Sequence, residues 1–254
     1  MFIIAGPCLL ESKEVIEEVA SKLSELSIKY DFKLYLKASY KKANRTSLDS
    51  FTGIGDELAL QYLSETAKMY NLESITDVHS VEEVTLAAKY VDVLQIPAFL
   101  ARQTDLLIAA GNTDKIVNIK KGQFMAGKDM SKAAVKVAST GNKNIWLTER
   151  GTFFGYGDLV VDMRNLMIMK ESGYPVVYDA THSVQQPSIG EVSGGKSEFT
   201  LGLAKAATAI GIDGLFIETH PDPKNAKSDA AVQIKLSEVE SFITTVLKVN
   251  EVCK

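Results

Sequence analysis

The chain has 254 residues, 46% of them apolar, and a formal net charge of −4. That length can bury a full core as one α/β barrel or two small domains, and the charge gives no general electrostatic case for nucleic acid or an acidic membrane. Cys8 and Cys253 stand far apart and suggest no disulfide framework; the opening Met-Phe-Ile-Ile-Ala-Gly-Pro carries no basic leader, and no apolar run is long enough for a bilayer, so a soluble protein of a reducing cytoplasm is expected.

Strand-like and helix-like segments alternate along the chain. A first strand is expected over residues 2–8, then a helix over 12–30 with Val15, Ile16, Val19, Leu23 and Leu26 on one face. The second strand lies within 33–40, where Phe32, Leu34 and Leu36 alternate with Lys33, Tyr35 and Lys37. A long loop follows to Gly55, then a helix over 56–70 and a third strand over 73–78. The next helix opens at Ser80 with Glu83 three residues on, a capping-box pattern. Strand four is expected over 93–98 with a helix from Gln103 to about Gly111, and strand five over 115–121 with a helix over 130–140. Strand six spans 145–151 with a helix over 161–172, and strand seven 175–182 with a helix over 198–210. Strand eight spans 214–219, after which Ser237 and Glu240 form a second capping-box pattern for a closing helix with Val239, Phe242, Ile243, Val246 and Leu247 inward. With no repeats or linkers, eight such units in this length fit a single (β/α)8 TIM barrel over residues 1–254. An open doubly wound sheet also fits the periodicity, but no strand is followed by a Gly-x-Gly-x-x-Gly turn, so a nucleotide cofactor has no support.

In a barrel the site forms at the carboxyl ends of the strands. Reading those ends in order gives Cys8, then Lys37 with Lys42 to Arg45, then Asp77, Arg102, Lys120, Arg150, His182, and Glu218 with Asp229. Any one of these could be a solvated charge or a satisfied core group; the signal is their convergence. Cys8, His182, Glu218 and Asp229 come from the first, seventh and eighth units, which adjoin when a barrel closes. A thiolate, an imidazole and two carboxylates suit a divalent transition metal, with Zn, Fe, Mn and Co all open. The cations with Asn44, Thr46 and Ser47 offer charge and donors to phosphorylated anions.

Several stretches give the sequence a family likeness. Lys42-Ala-Asn-Arg45 followed by Thr46-Ser47 resembles the substrate loop of the family of 3-deoxy-D-manno-octulosonate 8-phosphate and 3-deoxy-D-arabino-heptulosonate 7-phosphate synthases. Within that family it looks like the octulosonate branch, since the heptulosonate branch typically has Lys-Pro-Arg-Thr-Ser. Ala-Gly-Pro-Cys at 5–8, Thr-His-Ser-Val-Gln at 181–185, and Glu-Thr-His-Pro-Asp-Pro at 218–223 followed by Ser-Asp at 228–229 look like the family's metal-binding segments. Cys8 stands where metal-independent members have asparagine, which implies the metal-dependent class with Cys8, His182, Glu218 and Asp229 as ligands.

The resemblance also implies condensation of phosphoenolpyruvate with arabinose 5-phosphate, with Cys8, His182, Lys42 and Asp229 as the catalytic set. Lys42, Lys120 and Arg150, in Ile-Lys-Lys-Gly-Gln-Phe at 119–124 and Thr-Glu-Arg-Gly at 148–151, match the positions around phosphoenolpyruvate; strand alternation leaves Lys121 open as the inward lysine. Asn44 and Arg45 match the binders of the sugar phosphate, and Lys37 and Asp77 join the substrate-binding set. Arg102 resembles an arginine that reaches a neighbouring subunit's site, which implies an oligomer, usually a tetramer. The chain departs from the family at Phe154-Gly-Tyr-Gly-Asp158, at Ser228-Asp-Ala-Ala231 and in the loop 187–195, without losing a charged site residue. Three other readings remain: the heptulosonate branch using erythrose 4-phosphate, a metal-dependent aldolase that consumes pyruvate, and a barrel that binds sugar phosphates without catalysis.

Overall fold

Eight parallel strands close on themselves: β1 (Phe2–Gly6), β2 (Leu34–Lys37), β3 (Glu73–Asp77), β4 (Val93–Ile96), β5 (Ile116–Lys120), β6 (Ile145–Glu149), β7 (Val176–Asp179) and β8 (Gly214–His220). The description rests on a computed structural model and covers residues 1–43, 51–154, 157–186 and 194–253. Neighbouring strands pair in chain order, and β8 returns to β1 with Phe2 opposite Gly214 and Gly6 opposite Glu218. That last pairing excludes the open sheet. A Cβ on Gly6 would lie 1.9 Å from the Lys37 carbonyl oxygen, so only glycine lets β1 lie this close to β2 just before Cys8.

The helices α1 (Lys13–Lys29), α2 (Asp56–Met69), α3 (Val81–Ala87), α4 (Thr104–Gly111), α5 (Met130–Ala138), α6 (Arg164–Lys170), α7 (Thr200–Ile210) and α8 (Val239–Val252) follow the strands in turn. Their apolar faces, such as Ile16, Val19, Leu23 and Leu26 of α1, form the outer core against the strands. Each fully buried aliphatic side chain there contributes about 1.5–3 kcal/mol. Among the described residues no helix is long and apolar enough to cross a membrane.

Inside the barrel, side chains two residues apart on a strand share the interior face. A lower layer of Ile4, Tyr35, Ile75, Val93, Trp146, Val177 and Phe216, with Phe2 and Ile116 against it, is apolar. Phe2 and Tyr35 pack on Trp146 with ring centroids 4.5 and 4.9 Å away. One step further along each strand the interior turns polar: Lys37, Asp77, Gln95, Asn118, Thr148, Asp179 and Glu218, with Lys120 and Arg150 above. The site stands on this change of layer.

Some sequence expectations need correction. Ser237 and Glu240 do not cap α8: a 3-10 turn at Leu236–Glu238 precedes it, Glu238 is its N-cap without a side-chain bond, and Glu240 binds Lys29 and Tyr30 instead. The sixth helix starts at Arg164, because residues 152–153 and 159–160 pair as a small antiparallel ribbon ahead of it.

The Ser80 cap does form, its hydroxyl accepting from Glu83 N–H at 3.3 Å, but the Glu83 carboxylate takes the His79 backbone N–H at 2.8 Å rather than that of Ser80. Burial raises the Glu83 carboxyl, but its bonds to the His79 imidazole and backbone N–H outweigh this and bring it down to about 2 from 4.5. A depressed carboxyl stabilises fully above its unfolded value and loses that contribution as pH falls from about 4.5 towards 2. Glu83→Gln is therefore expected to cost on the order of 1–2 kcal/mol at neutral pH after allowing for screening. The gap from wild type should shrink through that acid window in urea titrations; a gap constant with pH would remove the carboxylate's role.

Candidate active site

Cys8 follows β1 directly and is buried, its thiol 3.1 Å from Asp229 Oδ2. Its backbone N–H donates to Gln233 Oε1 at 3.2 Å, while Gln233 Nε2 donates to the Ser228 carbonyl at 2.8 Å. One amide thus ties the segment holding Cys8 to the loop holding Asp229. Asp229 itself has φ +46°, a left-handed conformation that aspartate tolerates better than most residues.

Glu218 lies near the end of β8 with its Oε1 2.9 Å from Lys37 Nζ and 3.5 Å from His182 Nε2. His182 Nε2 is also 3.6 Å from Asp229 Oδ2. The thiol and both carboxylates offer ligand atoms within 4.8 Å of one another. Glu218 Oε2 is buried without a hydrogen-bond partner, so this cluster is one donor or cation short of satisfying its oxygens. Sulfur and carboxylate oxygen at these separations fit a divalent transition metal, and His182 Nε2 lies outside that mutual set but 3.5 and 3.6 Å from its two carboxylates.

The imidazole is oriented from behind by a residue absent from the sequence-derived set. Asp179, fully buried at the end of β7, lies 2.8 Å from His182 Nδ1 through Oδ2 and accepts the His182 backbone N–H at 2.8 Å through Oδ1. A carboxylate on Nδ1 leaves Nε2 facing Glu218 and Asp229, the arrangement by which metal-binding histidines are usually held. The same Asp179 Oδ2 accepts from Lys120 Nζ at 2.6 Å. Burial raises Asp179, but His182 and Lys120 hold it well below the usual carboxylate range. Burial pulls His182 down, yet Asp179 leaves it raised overall.

Lys120 is the lysine that faces the mouth, with its ammonium 3.9 Å above the Phe216 ring. Burial pulls its pKa down despite Asp179. Lys121 points the other way and is enclosed by backbone carbonyls and Glu149. Arg150, at the end of β6, is buried and donates through Nη2 to Gln185 Oε1 at 2.8 Å and to the His182 carbonyl at 3.1 Å. On the opposite wall Lys37 is fully buried, donating to the Cys8 carbonyl, Ser39 Oγ and Glu218. Lys42 Nζ lies 3.9 Å from Asp229 Oδ2; burial lowers it, but Cys8, Asp229 and Glu218 raise it well above the usual lysine range.

Asp77 accepts from Ser39 Oγ and Gln95 Nε2 and lies 3.8 Å from Lys37 Nζ. Behind it Thr148 Oγ1 donates to Asn118 Oδ1 at 2.6 Å, and Asn118 Nδ2 donates to Gln95 Oε1 at 2.9 Å, so a ladder of donors leads to this carboxylate.

Cys8, Lys37, Lys42, Asp77, Lys120, Arg150, His182, Glu218 and Asp229 thus meet around one opening. Arg102 does not join them among the described contacts: it is exposed in the turn before α4, and its carbonyl accepts from Lys136 Nζ at 2.9 Å. Asn44 and Arg45 lie outside the described residues. Asp179 was the readable omission, since a carboxylate in Val-Val-Tyr-Asp is out of place in a buried strand unless a cation meets it.

A packed parallel barrel carrying interleaved acids, bases and cations at the carboxyl ends of its strands is the architecture of a (β/α)8 enzyme. The chain belongs to the DAHP synthetase I family, whose sequence model matches residues 1–254. It is 48% identical over 253 residues to the 2-dehydro-3-deoxyphosphooctonate aldolase of Syntrophotalea carbinolica, covering 99% of this chain and 91% of that protein. The protein of the same name from Koribacter versatilis is 50% identical, with 99% and 91% covered. That from Granulibacter bethesdensis is 51% identical, with 95% and 86% covered.

Proposed function

We propose that this protein joins phosphoenolpyruvate to D-arabinose 5-phosphate, with water, to give 3-deoxy-D-manno-octulosonate 8-phosphate and inorganic phosphate. The observation that carries this reading is the opening itself: Lys120 and Arg150, on adjacent strands, stand directly beside His182 just beyond the end of the next strand round, Lys120 Nζ 3.4 Å from its Nδ1 and Arg150 on its carbonyl, and His182 in turn meets Glu218 and Asp229. Phosphoenolpyruvate carbon-3 attacks the aldehyde of the open-chain sugar, water adds at carbon-2, and phosphate leaves by C–O cleavage. The protein's part is to hold two anions that repel each other and to fix their approach. Lys42, Lys120 and Arg150 bind the phosphate and carboxylate of phosphoenolpyruvate, Asn44 and Arg45 the sugar phosphate, and Lys37 and Asp77 orient the reacting ends. Charge-assisted bonds of about 1.5–3 kcal/mol each suffice for this.

Cys8, His182, Glu218 and Asp229 would hold a divalent transition metal, which when bound supplies Lewis acidity for orienting the aldehyde or activating water. Asp179 keeps Nε2 of His182 turned to that place and keeps Lys120 charged. A single catalytic barrel, a cytoplasmic location and a homotetramer with Arg102 near a neighbouring site complete the reading; the exposed Arg102 supports the last, and two free cysteines the second.

Phosphate release from phosphoenolpyruvate should be seen with arabinose 5-phosphate, not with erythrose 4-phosphate, and should fall on chelation. Preference for the four-carbon sugar would move the protein to the other branch of the family. Arg45→Ala is expected to raise the KM for arabinose 5-phosphate by about 10–100-fold, the loss of one or two charge-assisted bonds, with little change for phosphoenolpyruvate. Equal weakening of both in initial-rate kinetics would take Arg45 out of that role.

A further inference from the structure

We infer that the buried Lys121–Glu149 pair is a positioning device that aims Lys120 and Arg150 at the anion between them. This rests on the reading that those two cations hold phosphoenolpyruvate. Successive residues of a strand point to opposite faces. Lys120 and Arg150 therefore enter the mouth, while their neighbours Lys121 and Glu149 turn back behind the wall of the barrel, where both are fully buried. The Lys121 ammonium donates to the carbonyls of Gly122 and Met125 in the loop after β5, at 3.3 and 3.2 Å. It also donates to the Gly151 carbonyl and Thr152 Oγ1 in the loop after β6, at 3.0 and 3.3 Å. Glu149 Oε1 lies 3.4 Å from that ammonium and accepts the Gly151 N–H at 2.6 Å. Register is held by the Lys121 N–H on the Thr148 carbonyl at 2.7 Å. One buried charge thus clamps both loops at the residues following the two substrate cations.

Holding the fold alone does not call for this pair, since a buried ion pair replaced by well-packed apolar groups is often neutral or stabilising. Placing two cations to within a fraction of an ångström does call for fixed, directional contacts. The test is the double variant Lys121→Met with Glu149→Leu, beside Glu149→Gln and Arg150→Ala, read by steady-state KM for each substrate and by calorimetric binding of phosphoenolpyruvate. The double variant is expected to weaken phosphoenolpyruvate about tenfold or more in both measurements, equivalent to the loss of one good contact, with the KM for the sugar phosphate within about twofold. Glu149→Gln, which keeps an acceptor for Gly151 N–H, is expected to shift the same constant in the same direction by less; it carries the test if the double variant does not fold. Unchanged phosphoenolpyruvate binding in a folded variant, or equal weakening of both substrates, overturns the inference. Failure of the functional reading looks different: Arg150→Ala would then leave phosphoenolpyruvate binding intact.

Discussion

Asp179→Asn is expected to lower kcat/KM by about 10²–10⁴-fold and to cost about 3–5 kcal/mol of stability. The wild-type carboxylate serves His182 Nδ1, the His182 backbone N–H and Lys120 Nζ at once, at 2.8, 2.8 and 2.6 Å. An amide has one acceptor oxygen to offer in place of two. If that oxygen takes the place of Oδ2 it still meets Lys120 and Nδ1, but the NH2 group then faces the His182 backbone N–H, and a donor set against a donor displaces the turn that carries the imidazole. If it takes the place of Oδ1, it keeps the backbone N–H while the NH2 group faces both Nδ1 and the Lys120 ammonium, and the lysine loses the Asp179 charge that opposes the downward pull of burial, which weakens its hold on an anion. Either outcome removes one of the two things the site does.

The pH dependence follows from the sign of the shift. A carboxyl depressed in the fold stabilises fully above its unfolded value near 3.8 and loses this as pH falls towards its folded value. The stability gap between wild type and variant should be complete above about pH 4 and narrow below it. Chemical denaturation across pH and pH–rate profiles check both parts. A folded variant with wild-type kinetics would show that Asp179 orients nothing.

How legible this site was depended on which physical signal each residue leaves in the chain. The strand–helix units were plain because apolar runs are punctuated by Gly, Pro and capping residues, and Ser12 and Ser80 do cap their helices. Closure was not legible, because the pairing of β8 with β1 joins segments at opposite ends of the chain and leaves no periodic trace. The orientation of Lys120 and Lys121 was hidden for a related reason. In Ile116-Val-Asn-Ile-Lys-Lys121 both faces of the strand are buried, one by the barrel interior and one by helices, so there is no polar face to set the phase. Asp179 escaped because strand seven was expected to run to His182, whereas it ends at Asp179 and the chain turns through His182–Val184 as a 3-10 helix. Gln233, which joins the Cys8 and Asp229 segments, sits beyond a loop and carries no charge to draw notice. Cys8, His182, Glu218 and Asp229 are legible as strand ends that adjoin on closure, while their role as ligands rests on the family wording around them, because no ligand spacing marks it.

Cys8→Asn is expected to leave synthase activity that is measurable and no longer responds to chelator, while the metal retained per chain falls by at least about tenfold, since one ligand of a few is removed. Asparagine can take this place because the backbone of residue 8 is held apart from its side chain: its N–H is fixed by Gln233 Oε1, and Lys37 Nζ donates to its carbonyl at 3.1 Å. The new amide would lie where the thiol lies and can donate to Asp229 Oδ2 as the thiol does. Charge is conserved as well. Burial, then Asp229 and Glu218, push the thiol well above its usual value, so without a metal it is neutral, as an amide is. Lys37 and Lys42 continue to balance Glu218 and Asp229. What is lost is a soft ligand, and a neutral amide is a poor substitute for it on a transition ion. Metal analysis of the purified variant separates this from mere damage, because it reads the site without turnover. A folded variant that binds metal as wild type does, or that has no activity at all with both substrates, would falsify the proposal that residue 8 alone sets the metal requirement. In the second case Ala230 and Ala231, which depart from the family pattern beside Asp229, become the next positions to exchange.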